Sequence, residues 1–513
     1  MPGVKLKLTN SLIFLHRWMG VGFFVLFLMW FVSGAVLMYW DFPGVSAADR
    51  LNREPPLNAS KIRVSPEKAY EQFQINDPPD RTSLGTYDGR PVYRFTLQQG
   101  DQWIVYADSG QQLDEFPPEM TLRVAAAWTG QPREMARVEI NTEEDQWTVS
   151  ERLQDLRPLR KYSWPDGEQV YVSTVTGEIV QYTTRASRIG AYFGAIPHWL
   201  YFTQLRKHGE QWTKLVIWAS GIATVSAILG IVIGLLMYSP ARRYRIHGSP
   251  TSIPYSGQKR WHLILGLIFG PLACTWAFSG MLSMDPFPEL QSGNSHSMEA
   301  RLRNGLRGKP ISLAAFDAEL PGAALQQLGP DFPVKELELI GFAGEPYYLA
   351  SAGPGRMRII PFHGEPILAF DQTKITEALK LAAQPAQLVE VRPVKEYESY
   401  YLDRLGRLPL PALFVQLNDD SRSMYYIDPK TARIVRSYND HSRWNRWLYH
   451  GFHSIDLPWL YKHRPAWDIA VLLLLAGGSA LSITSLVLAW RVLSRKIGAL
   501  LEGAGRQRSR VNL

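Results

Sequence analysis

Four apolar stretches, Leu12–Tyr39, Lys214–Tyr238, Trp261–Met284 and Asp468–Trp490, constrain this 513-residue chain more than anything else in it. A helix needs about 20 apolar residues to cross a hydrocarbon core of about 30 Å. Inside that core only helices or closed barrels satisfy the backbone. The stretches therefore predict four transmembrane helices. A mean hydropathy of −0.14 hides them, because long polar segments of ordinary soluble composition lie between. Tyr39, Trp40, Trp212, Trp261 and Trp467 mark the span ends like an aromatic belt.

The net charge of +8 is explained by where the cations lie. Lys5 and Lys7 precede the first span. Arg242, Arg243, Arg245, Lys259 and Arg260 crowd the short link between the second and third. Arg491, Arg495, Lys496, Arg506, Arg508 and Arg510 follow the fourth. This positive-inside pattern predicts cytoplasmic termini and a cytoplasmic loop, and makes nucleic acid unnecessary as a partner. The single cysteine, Cys274, lies in the third span, so no disulfide can form within the chain. Val45-Ser46-Ala47 resembles a signal cleavage site, but the run before it is too long for a signal peptide, and the first span is expected to stay.

The expected order along the chain follows. Residues 1–40 are the N-terminus and first span, and 41–186 a first outer domain. Residues 187–239 are a histidine segment with the second span, and 240–260 the basic loop. Residues 261–284 are the third span, 285–441 a second outer domain, 442–490 a histidine segment with the fourth span, and 491–513 a basic tail. Both outer segments read as α+β. "PVYRFTLQQGDQWIVYADSGQQLDEF", "GEQVYVSTVTGEIVQY" and "SRSMYYIDPKTARIVRSY" alternate apolar and polar residues around turn signals, as hairpins do. Ser65-Pro66-Glu67 predicts a helix start, with Ser65 as the cap.

The chain repeats itself. Aligning His16 with His262 places Gly20, Trp30, Ser33 and Gly34 on Gly266, Trp276, Ser279 and Gly280. Aligning His198 with His453 places Tyr171, Ser187, His208 and Trp212 on Tyr426, Ser442, His463 and Trp467. Each half reads as span, outer domain, span. Two crossings per half give both copies the same orientation, so the expected fold is a four-helix bundle of two parallel repeats.

Histidines carry the chemistry. His16 and His262 lie about one turn inside the inner ends of their spans, where an ionisable residue is costly and needs a partner. Gly20 and Gly34 follow His16 by four and eighteen residues, so they share its face at 3.6 residues per turn, as Gly266 and Gly280 share that of His262. Such a stripe serves close helix packing. It also lets a flat heme lie against backbone, ligated by a histidine from each of two helices. Arg17 and Arg260 stand beside the inner histidines and are read as snorkelling cations, although they can also reach heme carboxylates.

His198 and His453 occupy apolar, aromatic surroundings at the outer ends of the second and fourth spans, whereas His208 and His463 have charged neighbours. An apolar slot favours the first pair; His208, His463 and the unmatched His450 remain fallback ligands. His198 stands fourteen residues before the interfacial Trp212, about 21 Å along a continuous helix. It must therefore fold back, with breaks expected at Pro197 and Pro458. His247, His296, His363 and His441 read as surface residues. No dinucleotide fingerprint, P-loop, H-E-x-x-H or C-x-x-C occurs.

"LHRWMGVGFFVLFLMWFVSG" with its copy "RWHLILGLIFGPLACTWAFSG", "IPHWLYFTQLRKHGEQW" against "FHSIDLPWLYKHRPAW", and hairpins ending "VTGEIVQY" and "PKTARIVRSY" resemble the PepSY-associated transmembrane family, also called iron-regulated membrane proteins. The resemblance covers nearly the whole chain. It implies periplasmic PepSY-like domains and a bacterial inner-membrane reductase with two b-type hemes, passing electrons to a ferric siderophore or another periplasmic iron complex. It implies heme ligation by His16, His262, His198 and His453. Some relatives carry a fused flavin reductase domain; the short tail here implies a separate donor, quinol or a cytoplasmic reductase. A membrane-anchored PepSY-type peptidase regulator without redox activity is the alternative. A transporter ranks third, because the spans lack the acidic residues and broken helices of a transport site.

Overall fold

The computed structural model of the protein describes residues 2–75, 77–97, 100–286 and 294–511, and within them all side chains except those of 2–7, 294–296 and 499–511. The chain divides into two compact units. One comprises Met1–Phe42, Ala186–Pro288 and Asn445–Leu513, the other Pro43–Arg185 and Glu289–Trp444.

The first unit contains four helices long and apolar enough to cross a membrane, over Leu8–Leu37, Gly209–Met237, Gln258–Leu282 and Arg464–Gly498. Each is longer than its apolar stretch predicts, since backbone bonding continues past the apolar window; the fourth helix runs from Arg464 to Val511. Neighbours pack in a closed ring, first on second, second on third, third on fourth and fourth on first. Glycine lets two of these contacts close. A Cβ at Gly477 would enter the Phe269 ring, and one at Gly478 the Phe31 ring. The basic loop carries a short hairpin, β8 (Tyr244–Ile246) and β9 (Ser249–Thr251).

The second unit is built on one six-stranded antiparallel sheet of order β12-β11-β10-β1-β2-β3. Its strands are β1 (Arg81–Tyr87), β2 (Arg90–Thr96), β3 (Gln102–Tyr106), β10 (Glu336–Phe342), β11 (Glu345–Gly353) and β12 (Arg356–Pro361). The two outer segments, expected as a domain each, thus supply three strands each to a shared sheet. The joint is β1 against β10, with Ser83 opposite Glu338, Thr82 opposite Leu339 and Leu84 opposite Leu337. Asp88-Gly89 and Ala343-Gly344 turn the adjoining hairpins with positive φ at both positions, as two-residue hairpin loops require.

One face of this sheet buries Leu84, Tyr93, Phe95, Leu337, Leu339, Tyr348 and Ile360 beneath the helix Pro66–Glu71, which Ser65 caps at Lys68 N. On the other face Tyr87, Val92, Ile104 and Tyr106 pack with Met120 and Val124 of the helix Pro118–Thr129, and Phe342, Tyr347, Leu349 and Ile359 with Leu413, Val415 and Ile427. The unit has two further four-stranded sheets. β4 (Arg137–Asn141), β5 (Leu159–Ser163), β6 (Gln169–Ser173) and β7 (Ile179–Thr183) form one; β13 (Leu388–Val394), β14 (Ala412–Leu417), β15 (Met424–Asp428) and β16 (Arg433–Tyr438) form the other. The three hairpins read from the sequence are β2–β3, β6–β7 and β15–β16.

A network of charges lies along the joint. Glu338 accepts from Arg81 at 2.8 Å and Arg433 at 2.5 Å, Glu336 accepts from Arg81 at 2.9 Å, and Glu178 accepts from Arg50 at 2.8 Å. Burial pushes the Glu54 carboxyl up to about 7, against the pull of Arg94 and with Glu336 and Glu178 adding to the rise. Ionising Glu54 therefore costs stability. The cost is absent below the ordinary carboxylate value of 4.5 and complete above about 7. Glu54→Gln is expected to stabilise this unit by about 1–2 kcal/mol at pH 8, with the gain shrinking toward pH 5. Thermal unfolding at the two pH values checks this; equal gains at both would show that Glu54 is not the titrating group.

Candidate functional site

The four histidines singled out in the sequence come together as two facing pairs within the helical unit. His16 of the first span faces His262 of the third across the bundle, with ring centres 6.3 Å apart. His198 faces His453, with centres 6.0 Å apart.

Each ring is fixed through Nδ1. His16 Nδ1 donates to the Ser226 carbonyl at 3.0 Å, and His198 Nδ1 to the Trp30 carbonyl at 3.2 Å. A carbonyl only accepts, so Nδ1 carries the proton and Nε2 keeps the lone pair in the neutral ring. The other two follow by one more step. Thr484 Oγ1 gives its proton to Leu481 O at 2.6 Å and so accepts from His262 Nδ1 at 3.1 Å. Ser279 Oγ gives its proton to Trp276 O at 3.1 Å and accepts from His453 Nδ1 at 3.0 Å. All four Nε2 atoms are thus left with a lone pair, as in a histidine whose Nδ1–H is held by a neighbour.

Glycines make room for these rings. A Cβ at Gly230 would stand 2.8 Å from His16 Cε1. A Cβ at Gly34 or at Gly280 would make only ordinary contact, 3.4 Å from His198 Cε1 and 3.7 Å from His453 Cε1, so the close fit is confined to Gly230. The stripe read from the sequence is therefore split. Gly20 and Gly266 open onto the inner pair, while Gly34 and Gly280 serve the outer one. Gly230, Ser226 and Thr484 were not singled out by sequence reasoning; the small residues Gly230 and Gly234 four apart in the second span are the one local signal.

His198 does fold back, on the short helix Ala195–Trp199. The reversals fall at Leu200 and Ile455, both in the left-handed region, rather than at Pro197 and Pro458. A tryptophan of the following span closes each reversal: Trp212 Nε1 donates to Trp199 O at 2.9 Å, and Trp467 Nε1 to Ile455 O at 3.1 Å. His208 and His463 are exposed at the starts of the second and fourth helices and join neither pair. His450 is exposed beside Tyr449. His247 and His363 are exposed and His441 is half-buried, while the His296 side chain lies outside the described residues.

A cavity of about 470 Å³ opens beside the inner pair. His16, His262, Gly20, Gly266, Phe24 and Phe27 line its body, and Arg17, Lys259, Arg491 and Arg495 also border it.

The model of the PepSY-associated TM region matches residues 13–312, more than half of the chain. The chain belongs to the PepSY-associated transmembrane family. No curated protein matches it. In this PepSY-associated protein the matched stretch holds the first three spans and His16, His198 and His262; His453 lies beyond it. Among the described residues no three histidine, cysteine, aspartate or glutamate side chains converge as a metal cage. Two facing imidazoles suit a metal that brings its remaining ligands with it.

Proposed function

We propose that the protein is a di-heme b reductase of the bacterial inner membrane, moving electrons to a periplasmic acceptor, for which a ferric siderophore is the best candidate. The observation that carries this reading is the spacing of the two histidine pairs. Each pair leaves between its two imidazoles the room that a single metal ion held by both would fill. The pairs stand at 6.3 and 6.0 Å. His16 and His262 would hold one heme, His198 and His453 the other. Bound there, hemes supply one-electron relays between the two faces of the bilayer.

The residues of the chain do the rest. Ser226, Thr484, Trp30 and Ser279 hold the imidazoles in one tautomer and one orientation. Glycines admit a flat ring, and the apolar spans exclude water. The positive-inside pattern puts both termini and the basic loop in the cytoplasm, so electrons enter there or from quinol. On the periplasmic side the second unit would dock the iron complex; reducing iron to Fe(II) weakens its hold on hard oxygen ligands, and iron is released. Duplication explains the layout. At an offset of 255, Thr82 corresponds to Leu337 and Leu84 to Leu339, and these positions pair crosswise about Ser83 and Glu338, as two copies related by a two-fold axis would.

The test is an absorption spectrum of the detergent-purified protein, oxidised and dithionite-reduced, with a pyridine hemochrome count. Sharp α and β bands on reduction and two hemes per chain are expected. A folded, heme-free protein from heme-replete cells would sink the reading and leave the peptidase regulator to pursue.

A further inference from the structure

The inner cavity has a charged border that the ligation argument does not use. Arg17 comes from the first span, Lys259 from the start of the third, Arg491 and Arg495 from the end of the fourth, and all four line the cavity of the His16–His262 pair. Their own segments offer little to neutralise them: residues 1–40 and 240–260 contain no aspartate or glutamate, and the tail 491–513 contains one, Glu502, against six arginine and lysine residues. No ion pair is made by any of the four among the described residues. Arg17 lies over the rings of Phe14 and Trp18, and Lys259 over that of Tyr255. Arg260 does not border the cavity and instead donates to Thr251 Oγ1 at 3.0 Å.

Snorkelling alone does not require that cations from three segments line one cavity. Four from three segments around one cavity whose lining, among the described residues, holds no acidic side chain fit a ligand whose body is flat and apolar and whose edge is anionic. We propose that Arg17, Lys259, Arg491 and Arg495 form a carboxylate-binding collar that fixes the inner heme with its two carboxylates toward the cytoplasmic mouth. This rests on the di-heme reading and adds an orientation and a selectivity to it. Arginine forks suit the carboxylates, which would otherwise lie against apolar helix. The same charge could instead attract the phosphate of an anionic lipid, and the test separates the two.

The His198→Ala variant leaves only the inner site to load. Heme-free protein of this variant, in a zwitterionic detergent free of lipid, is titrated with hemin and with hemin dimethyl ester, which lacks the two charges. The Soret band reports binding. Hemin is expected to bind about tenfold tighter than the ester. Adding the changes Arg17→Gln, Lys259→Gln, Arg491→Gln and Arg495→Gln should remove that preference while leaving ester binding and the bis-histidine spectrum unchanged. The unchanged ester titration shows that the altered protein still folds around the site. Equal binding of hemin and ester before those changes overturns the collar alone, as does a preference that survives the four substitutions. Loss of the preference only when phosphatidylglycerol is present assigns the collar to lipid and overturns the proposal. Failure to bind either form, with or without the collar, counts against the di-heme reading itself.

Discussion

Alanine at His16 or at His262 is expected to lower the heme b content of the purified protein from two per chain to one. The ring it removes is one of two that face each other at 6.3 Å, and a heme held from one side only loses its low-spin bis-imidazole spectrum and most of its affinity. Alanine at His198 or His453 should remove the other heme by the same argument. The two pairs share no ligand, so a change in one layer should leave the other intact, and one variant from each layer combined should give heme-free protein. His208, His450 and His463 are exposed and outside both pairs, so their alanine variants should keep both hemes. Hemochrome counts per chain, on protein that elutes as a single species, decide the matter. Two hemes retained in His16→Ala and in His262→Ala would show that the inner pair does not ligate. A loss in His208→Ala or His463→Ala would move the outer ligands to the fallback set.

Gly230→Val should reproduce the loss seen with His16→Ala, although residue 230 bears no ligating group. Its Cβ would stand 2.8 Å from His16 Cε1 and 3.4 Å from Nε2, closer than carbon and ring atoms tolerate. The imidazole cannot retreat without giving up its 3.0 Å hydrogen bond to the Ser226 carbonyl, one helical turn before the glycine. The inner heme should therefore be lost, or held at least tenfold more weakly, while the outer heme stays. Gly22→Val is the matched control. Gly22 lies on the same helix as His16, but it does not line the cavity and a Cβ there meets nothing within 4 Å. In a His16→Ala background the valine should have no further effect on heme content, since the ring it would strike is gone. Full heme content in Gly230→Val would mean that His16 takes another position in the membrane.

Much of this protein is local information, and the sequence determined it. Apolar run length set the four spans, because the bilayer rewards a fixed number of apolar residues. Alternation set the hairpins, and Ser65-Pro66 set a helix start. The histidines stood out because an ionisable group in a span is rare, and the fold-back of His198 followed from counting residues to Trp212. Partners across the chain were decided only in three dimensions. No periodicity says that His16 meets His262, that Gly230 yields to the His16 ring, or that Thr484 orients His262, since those contacts join residues more than two hundred positions apart. The reversals fell at Leu200 and Ile455 rather than at the neighbouring prolines, because the chain must bring Trp199 O and Ile455 O to the indoles of Trp212 and Trp467. The shared sheet is the same case. Neither β1 nor β10 belongs to the hairpins read from the sequence, and backbone hydrogen bonds carry no residue label, so only the folded unit shows that each is the other's partner.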